Sequence, residues 1–378
     1  MIYRSPLNST VCEGLLWGSL GQFWKLKKIE MPKNVKVSFI VAVYKVAEYI
    51  ERCVRSIYEQ TLEDIEIILV DDCTPDNSIE IAKRVLADYP HRESQMKVLR
   101  HEKNTGLKGV RKDGVKVAEG EYVIFVDGDD YLDVRMGEMM YSKAIEEEAE
   151  MVICGFWWYR KDGRFFRMPL GIDSLESTQK IKDATFDRMG WPNVWCRMVK
   201  RTLLLSDEMI WPKASHPEDV VISTVSTYYA KKIACVIEPL YHYCYNKDSI
   251  TFQSSEEGVL RKYREFLINN EQIVDFYKQK GIFERNQRGL VVNKMYARNE
   301  LLMLTRKRKY RKMWKETYPE LNKIMMSGNE IFSSTYREKV WYISILLGLF
   351  PLLKRVLVSR RLQPSAVWMA GAFNYINK

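Results

Sequence analysis

The sequence predicts an α/β fold: a largely parallel sheet with helices on both faces, followed by a mainly helical C-terminal region. Three observations carry this. Short apolar runs of buried-strand length alternate with helix-spaced segments from Val37 to Phe156, the pattern of a parallel sheet covered on both sides. That alternation gives way to Trp-, Tyr- and Pro-rich chain over 190–250, then to long helical periodicity from about Glu256 to Arg311. The composition, 46% hydrophobic and 29% charged over 378 residues, is that of a folded chain long enough for one large domain with an appendage.

In order along the chain, residues 1–34 read as an N-terminal extension. It is either a tail or, through Trp17, Phe23 and Trp24, a segment docked on the domain, and Met31 is an alternative start to Met1. Val37–Val43 is a continuous apolar run and the first strand. Ala47, Ile50, Cys53, Val54, Ile57 and Tyr58 then recur at helical spacing over 47–60. Ile65–Val70 is the second strand, and Asn77 is placed to cap a helix reaching about Tyr89. Strands follow at Met96–Arg100, Tyr122–Val126 and Met151–Phe156. Asp162-Gly163 between aromatic arms reads as a hairpin turn, and a helix starts at Glu218. The helical stretch 256–311 has Gly281 as its strong breaker. These elements group as 1–34, then 35–255 (halves 35–133 and 134–255), then 256–378.

Fifty-nine Lys and Arg against forty-nine Asp and Glu give a net charge of +10, which suits an anionic partner. No RNP-like, helix-turn-helix or finger motif accompanies it, so nucleic acid is not the expected partner. The seven cysteines (Cys12, Cys53, Cys73, Cys154, Cys196, Cys235, Cys244) are odd in number and form no C-x-x-C pair. Neither a disulfide framework nor a structural zinc site is expected. The first thirty residues lack the pattern of a secretion signal, so an intracellular protein is expected.

In an open parallel sheet, ligands bind outside the carboxyl ends of the strands. Three such ends here are polar: Tyr44-Lys45, Asp71-Asp72-Cys73-Thr74 and Asp127-Gly128-Asp129-Asp130. Adjacent carboxylates repel one another unless a cation sits among them. Mg²⁺ or Mn²⁺ bound to a diphosphate supplies one, taking one or two carboxylates and filling its sphere with phosphate and water oxygens.

The stretches VSFIVAVYKVAEYIERCVRSIYEQT, IEIILVDDCTPDNS, NTGLKGVRKDGVKVAEGEYVIFVDGDD and, more loosely, HPEDVVIS together resemble the family 2 glycosyltransferases. The resemblance runs in the family's order through 37–251. It implies the GT-A fold, a Rossmann-like, mostly parallel sheet, and an inverting transfer from a nucleotide-diphospho-sugar, with a UDP-sugar the expected donor. Carried over, it puts Ala42 and Tyr44 beside the nucleotide base, where an aromatic can stack, and makes Asp72 an acceptor from that base. Asp129 becomes the direct metal ligand, and Asp127 stands nearer the ribose while sharing the metal. Asp130 orients the donor sugar. Lys108 and Arg111 approach the donor phosphates, or are plain solvated bases. Two departures stand out: Ala42-Val43-Tyr44-Lys45 replaces the common Pro-x-Tyr-Asn, and Val110-Arg111-Lys112-Asp113-Gly114 lacks the Asn of Ala-Arg-Asn-x-Gly.

An inverting transfer needs a general base for the acceptor hydroxyl. In His216-Pro217-Glu218-Asp219 two acids open a helix, whose dipole favours their charge. The family's base is the Asp of this pair, here Asp219, with Glu218 as its acceptor-side neighbour; the bland alternative is two capping acids. Trp195–Arg201 resembles the family's Trp-Asn-Lys-Leu stretch. Tyr241–Thr251 resembles its Tyr-x-Tyr-Arg…Ser-Ile-Thr segment, with Cys244 where the Arg stands. His242 or Lys247 substitutes for that Arg, or the segment is an aromatic strand. Trp157 and Trp158 either stack on an acceptor sugar or pack in the core.

Residues 306–315 carry seven bases and no acid, and Val340–Leu353 is an apolar run too short to span a bilayer. With Lys339, Lys354, Arg355, Arg360 and Arg361 around it, segment 340–361 suits an interfacial helix on an anionic leaflet or, alternatively, a helix packed on the domain. The expected protein is cytoplasmic, at the inner face of the membrane, with a glycan or lipid-linked glycan as acceptor. The rival readings are a nucleotidyltransferase, which would carry a Gly-rich phosphate loop where Tyr44-Lys45-Val46-Ala47 stands, and a non-catalytic nucleotide-sugar-binding relative.

Overall fold

A computed structural model describes residues 34–168, 170, 177–188, 192–252, 254–329 and 336–352. The extension with Trp17, Phe23 and Trp24, Cys12, and the bases Lys354, Arg355, Arg360 and Arg361 lie outside them.

The elements run β1 (Val37–Val43), α1 (Ile50–Tyr58), β2 (Ile65–Asp71), α2 (Ser78–Leu86), β3 (Met96–Arg100), α3 (Leu107–Val117) and β4 (Tyr122–Asp127). Then come β5 (Tyr131–Leu132), α4 (Met136–Glu146), β6 (Met151–Tyr159), β7 (Phe165–Met168), α5 (Thr178–Phe186), β8 (Arg197–Lys200), α6 (Arg201–Leu204), α7 (Glu218–Tyr229) and β9 (Ile233–Tyr243). The chain continues with α8 (Glu256–Gln279), α9 (Gln287–Asn299), α10 (Arg308–Glu316), α11 (Glu320–Ser327) and α12 (Tyr336–Leu346).

One sheet joins the strands in the order β3-β2-β1-β4-β8-β6-β9-β5, with β7 hydrogen-bonded to β6. The apolar runs of β1, β2 and β4 are buried along nearly their whole length and pair in parallel. β2 lies on one side of β1 and β4 on the other, so the chain reverses its direction of travel across the sheet at β1. That is the switch point at which such sheets open a crevice. The register sets Ala42 opposite Asp127 and Val43 opposite Asp71, bringing the polar strand ends together. Beyond β4 the sheet is mixed rather than mostly parallel: β8 runs antiparallel to both β4 and β6. Its four residues are too short and too polar to register as an apolar run.

The Asp162-Gly163 turn closes the β6–β7 hairpin as expected. Helix α2 starts at the expected place, but Asn77 makes no side-chain capping bond. Asp76 does that work, accepting from Ser78 N (3.2 Å), Ser78 Oγ (2.5 Å), Thr74 Oγ1 (2.8 Å) and Ala47 N (3.0 Å). Burial opposes its charge, yet the bonds from Ser78, Thr74 and Ala47 outweigh that and hold it below the ordinary carboxylate range. The helical stretch after 256 breaks at Gly281, as expected, and again between α9 and α10.

The helical region shares the sheet's core. Ile273, Phe276 and Tyr277 of α8, with Ile282 and Leu290, join the apolar cluster that holds β1, β2 and β4. A second cluster unites Met295, Trp314, Leu321, Trp341, Ile345 and Phe350. Helix α9 meets the end of α5 so closely that a Cβ on Gly289 would lie 1.7 Å from the Phe186 carbonyl oxygen. Gly289→Ala must push these helices apart, at about 1–3 kcal/mol for overpacking. A denaturant midpoint equal to wild type would contradict so close a contact.

Candidate active site

At the crevice, Tyr44 stands just past β1 and is 41% exposed. Its neighbour Lys45 holds a left-handed backbone (φ 55°), fixed by its N–H donating to Thr74 Oγ1 at 2.8 Å. Gly128 passes so near β1 that a Cβ there would sit 2.6 Å from the Ala42 carbonyl oxygen, so the residue between Asp127 and Asp129 has to be glycine.

Asp72 is buried at the end of β2. Its Oδ1 accepts from Thr105 N (2.8 Å) and Thr105 Oγ1 (2.9 Å) and lies 2.8 Å from His101 Nδ1, while Oδ2 accepts from Gly106 N at 2.8 Å. One carboxylate thereby pins the loop that leads into α3. Along α3, Lys108 donates its Nζ to the Lys213 carbonyl at 2.7 Å.

Arg111, one turn further, is almost wholly buried. Its Nε and Nη2 donate to Glu218 Oε1 (3.1 and 3.0 Å), and Nη2 also reaches Asp127 Oδ1 at 3.3 Å. The same Nη2 lies 3.2 Å from Asp219 Oδ1 without hydrogen-bond alignment. Burial alone would weaken the guanidinium's hold on its proton, but Asp127, Asp219 and Glu218 outweigh it and raise its pKa. Burial likewise pushes both acids of the α7 pair upward. For Asp219 the adjacent Glu218 charge adds to the rise, and Arg111 opposes it. The site therefore holds three carboxylates around one cation, and the two of α7 bind their protons more tightly than ordinary acids do.

The Asp127–Asp130 turn is fixed from below by β9. Asp127 N donates to Tyr241 Oη (3.2 Å), and that hydroxyl donates to Asp130 Oδ2 (2.7 Å). Cys244 N donates to Asp130 Oδ1 at 2.7 Å. Asp129 Oδ2 accepts from Asn246 Nδ2 at 2.8 Å, and Arg52 Nη2 donates to the Asp129 carbonyl at 3.0 Å. Burial and the neighbouring Asp127 push Asp129 up to about 6. Among the described residues no three or more His, Cys, Asp or Glu side chains converge as a protein-only metal cage. Asp127 and Asp129 do offer two hard carboxylates at one strand end, the number Mg²⁺ or Mn²⁺ takes when phosphate and water fill its remaining positions. The pair fits such an ion.

The helical region holds the segment that leads into the α7 acids. Asn269 of α8 clasps Ala214, accepting from its N–H and donating to its carbonyl, both at 3.0 Å. Gln272 does the same across Trp211 O (2.9 Å) and Lys213 N (3.2 Å). His216 rests edge-on against Phe266, 5.9 Å between ring centres.

Comparison with known proteins gives a consistent picture. The family model described as "Glycosyl transferase family 2" matches residues 38–205. The uncharacterized glycosyltransferase EpsJ of Bacillus subtilis is 37% identical over 57% of this chain, and the match spans 62% of EpsJ, under two-thirds of its length. The cholesterol galactosyltransferase of Borreliella burgdorferi is 31% identical over 67% of this chain and 70% of its own. The chain belongs to glycosyltransferase family 2. Among solved structures, S. aureus TarS 1–349 in complex with UDP-GlcNAc shares the fold, with a TM-score of 0.50 at 17% identity over 90% of this chain and 89% of that one. Family membership takes the chain out of the nucleotidyltransferase class.

In this family 2 glycosyltransferase, Asp127, Glu218, Asp219 and Arg111 meet in one cluster, with Ala42 beside it in register. Two of the predicted site residues are buried in the structure. For Arg111 this sets aside the alternative of a plain solvated base, because its charge is committed to three acids. Asp130 is fully buried with both oxygens bonded inward, so it holds the turn rather than facing the crevice. Trp195 stacks on Tyr241 (4.3 Å) and Tyr243 (5.5 Å) beneath that turn. His242 stacks on Tyr131 at 4.1 Å, as part of an aromatic strand, and Cys244 contributes its backbone. Trp157 and Trp158 pack against Phe165 and Phe166 on the hairpin, partly exposed. Sequence reasoning missed Asn246, Arg52 and Tyr241. The polar run Asn246-Lys247-Asp248-Ser249 after an aromatic strand was the one available signal for Asn246.

Proposed function

We propose that this chain is an inverting glycosyltransferase of cell-surface polysaccharide assembly. It moves a sugar from a nucleotide-diphospho-sugar, a UDP-sugar, to a hydroxyl of a glycan or lipid-linked glycan at the cytoplasmic face of the membrane. One observation carries this reading: Arg111 gathers Asp127 of the strand end and the Glu218-Asp219 pair of α7 into a single cluster. A donor-side acid and a candidate base thus meet at one nitrogen of a single guanidinium.

Asp219 takes the proton of the acceptor hydroxyl as its oxygen attacks the anomeric carbon. The bond from that carbon to the diphosphate oxygen breaks, its electrons leave with the diphosphate, and the configuration inverts. Asp129 and Asp127 would hold Mn²⁺ or Mg²⁺, which when bound supplies neutralising charge for the diphosphate. Tyr44, exposed beside the crevice, offers its ring to the base, and Asp72 Oδ2, which has one hydrogen bond, offers a further acceptor. Glu218 keeps Arg111 in place beside the base. The relation to TarS, whose crystals hold UDP-GlcNAc, supports uridine as the base.

A donor screen tests the reading. Without acceptor, slow hydrolysis of a UDP-sugar to free UDP is expected with Mn²⁺ and not with chelator. A chain that binds nucleotide-sugars but neither hydrolyses nor transfers them would instead be the non-catalytic relative, and one that binds none would overturn the reading.

A further inference from the structure

Two segments singled out by their composition, with twenty-four residues between them, come together on the surface. Helix α12 buries Trp341, Tyr342 and Ile345, and Phe350 follows them into the second apolar cluster, where Tyr342 meets Trp314 of α10 at 5.8 Å between ring centres. That packing is the alternative foreseen for this segment, and it accounts for one face only. Val340, Ile343 and Leu347 recur at i, i+3 and i+7 on the other face, and Leu349 and Leu352 follow beyond Gly348. All five are exposed, Leu347 by 63% and Leu352 by 61%.

The basic helix lies against the same edge. A Cβ on Gly348 would come within 2.5 Å of Arg311 Nη1, so the turn between Leu347 and Leu349 sits on the Arg311 side of α10. Arg308 and Lys315, three residues before and four after Arg311, occupy that same side of the helix. Both are exposed and have no carboxylate partner among the described residues. Lys307 and Lys309, by contrast, are tied to Glu256.

We infer that α10 and α12 together form a docking surface for an anionic lipid bilayer, with the exposed aliphatic row entering the acyl boundary and Arg308 and Lys315 on the headgroups. Five large exposed aliphatics within thirteen residues concentrate apolar surface at one stretch of the chain, as interaction sites do. The unpaired bases along its edge match phosphate-bearing headgroups and would be repelled by a second copy of themselves. No helix among the described residues is long and apolar enough to cross a membrane, so the contact is interfacial. The inference rests on the proposed membrane-side acceptor for its purpose but not for its physics. A failure of vesicle binding and a failure of donor hydrolysis are therefore separate results.

The full chain should sediment with vesicles containing phosphatidylglycerol and much less with pure phosphatidylcholine, and binding should weaken with salt. Arg308→Gln with Lys315→Gln should lower vesicle affinity roughly 30-fold at low salt, from about 1 kcal/mol per base. Leu347→Ser with Leu352→Ser should weaken it at least tenfold while leaving the thermal midpoint and UDP-sugar hydrolysis unchanged, because both side chains are already in solvent. Unchanged binding in either pair, or equal binding to the two vesicle types, would overturn the inference. So would a concentration-dependent dimer lost in the leucine pair, which would make a second copy the occupant.

Discussion

Asp219→Asn should retain nucleotide-sugar binding and lose at least ~100-fold in transfer rate, because the substitution keeps size and hydrogen bonding but removes basicity. Asp219 Oδ1 is buried and lacks an aligned hydrogen-bond donor, so the substitution breaks no hydrogen bond at that oxygen, and Asp127 and Glu218 remain on Arg111. Its pKa stands well above that of an ordinary acid because of burial and Glu218. A base must be unprotonated to act, so the wild-type rate should rise with pH and its acid limb should lie above the usual carboxylate range. In Asp219→Asn the residual rate should lose that limb. Transfer near wild-type rate would make Asp219 a helix-opening acid and move the role to Glu218.

Asp129→Asn should abolish turnover and weaken UDP binding chiefly when Mn²⁺ is present. The side chain already accepts from Asn246, and an amide can keep a hydrogen bond there while no longer offering an anionic ligand. Protons and metal compete for the same oxygens. With Asp129 pushed up to about 6, metal-dependent UDP binding should decline as pH falls through that value and recover on return to neutrality. Calorimetric titration with and without Mn²⁺ checks both statements. Equal UDP affinity in the two wild-type titrations would remove the metal from the site.

How much of this could be read in the chain depended on the distance over which the information is carried. β1, β2 and β4 are contiguous apolar runs, so their burial and parallel pairing were visible. β5 and β8, two and four residues long, gain their strand character from partners elsewhere in the sequence. Asp127, Asp129, Glu218 and Asp219 were legible because they stand at a strand end or a helix start, where local chemistry is constrained. The position of Arg111 was legible too, but not its burial, since Glu218 lies 107 residues away. Asn246, 117 residues from Asp129, has no periodicity that would announce it. At the start of α2 it is Asp76, not Asn77, whose side chain accepts a backbone N–H, that of Ser78.

The two-sided grip of Asn269 and Gln272 on residues 211–214 bears on how such proteins could exchange parts. A side-chain amide that both accepts from and donates to one residue's backbone acts as a neighbouring strand would, and the segment it holds leads directly into Glu218 and Asp219. A chimera joined at residue 255 would import a foreign helical region without those amides and strand the segment ahead of the acids with unmet backbone groups. A crossover that keeps these two amides with the segment they hold lies before Trp211. A cassette traded with that grip intact therefore begins inside the catalytic half and carries Glu218 and Asp219 with it.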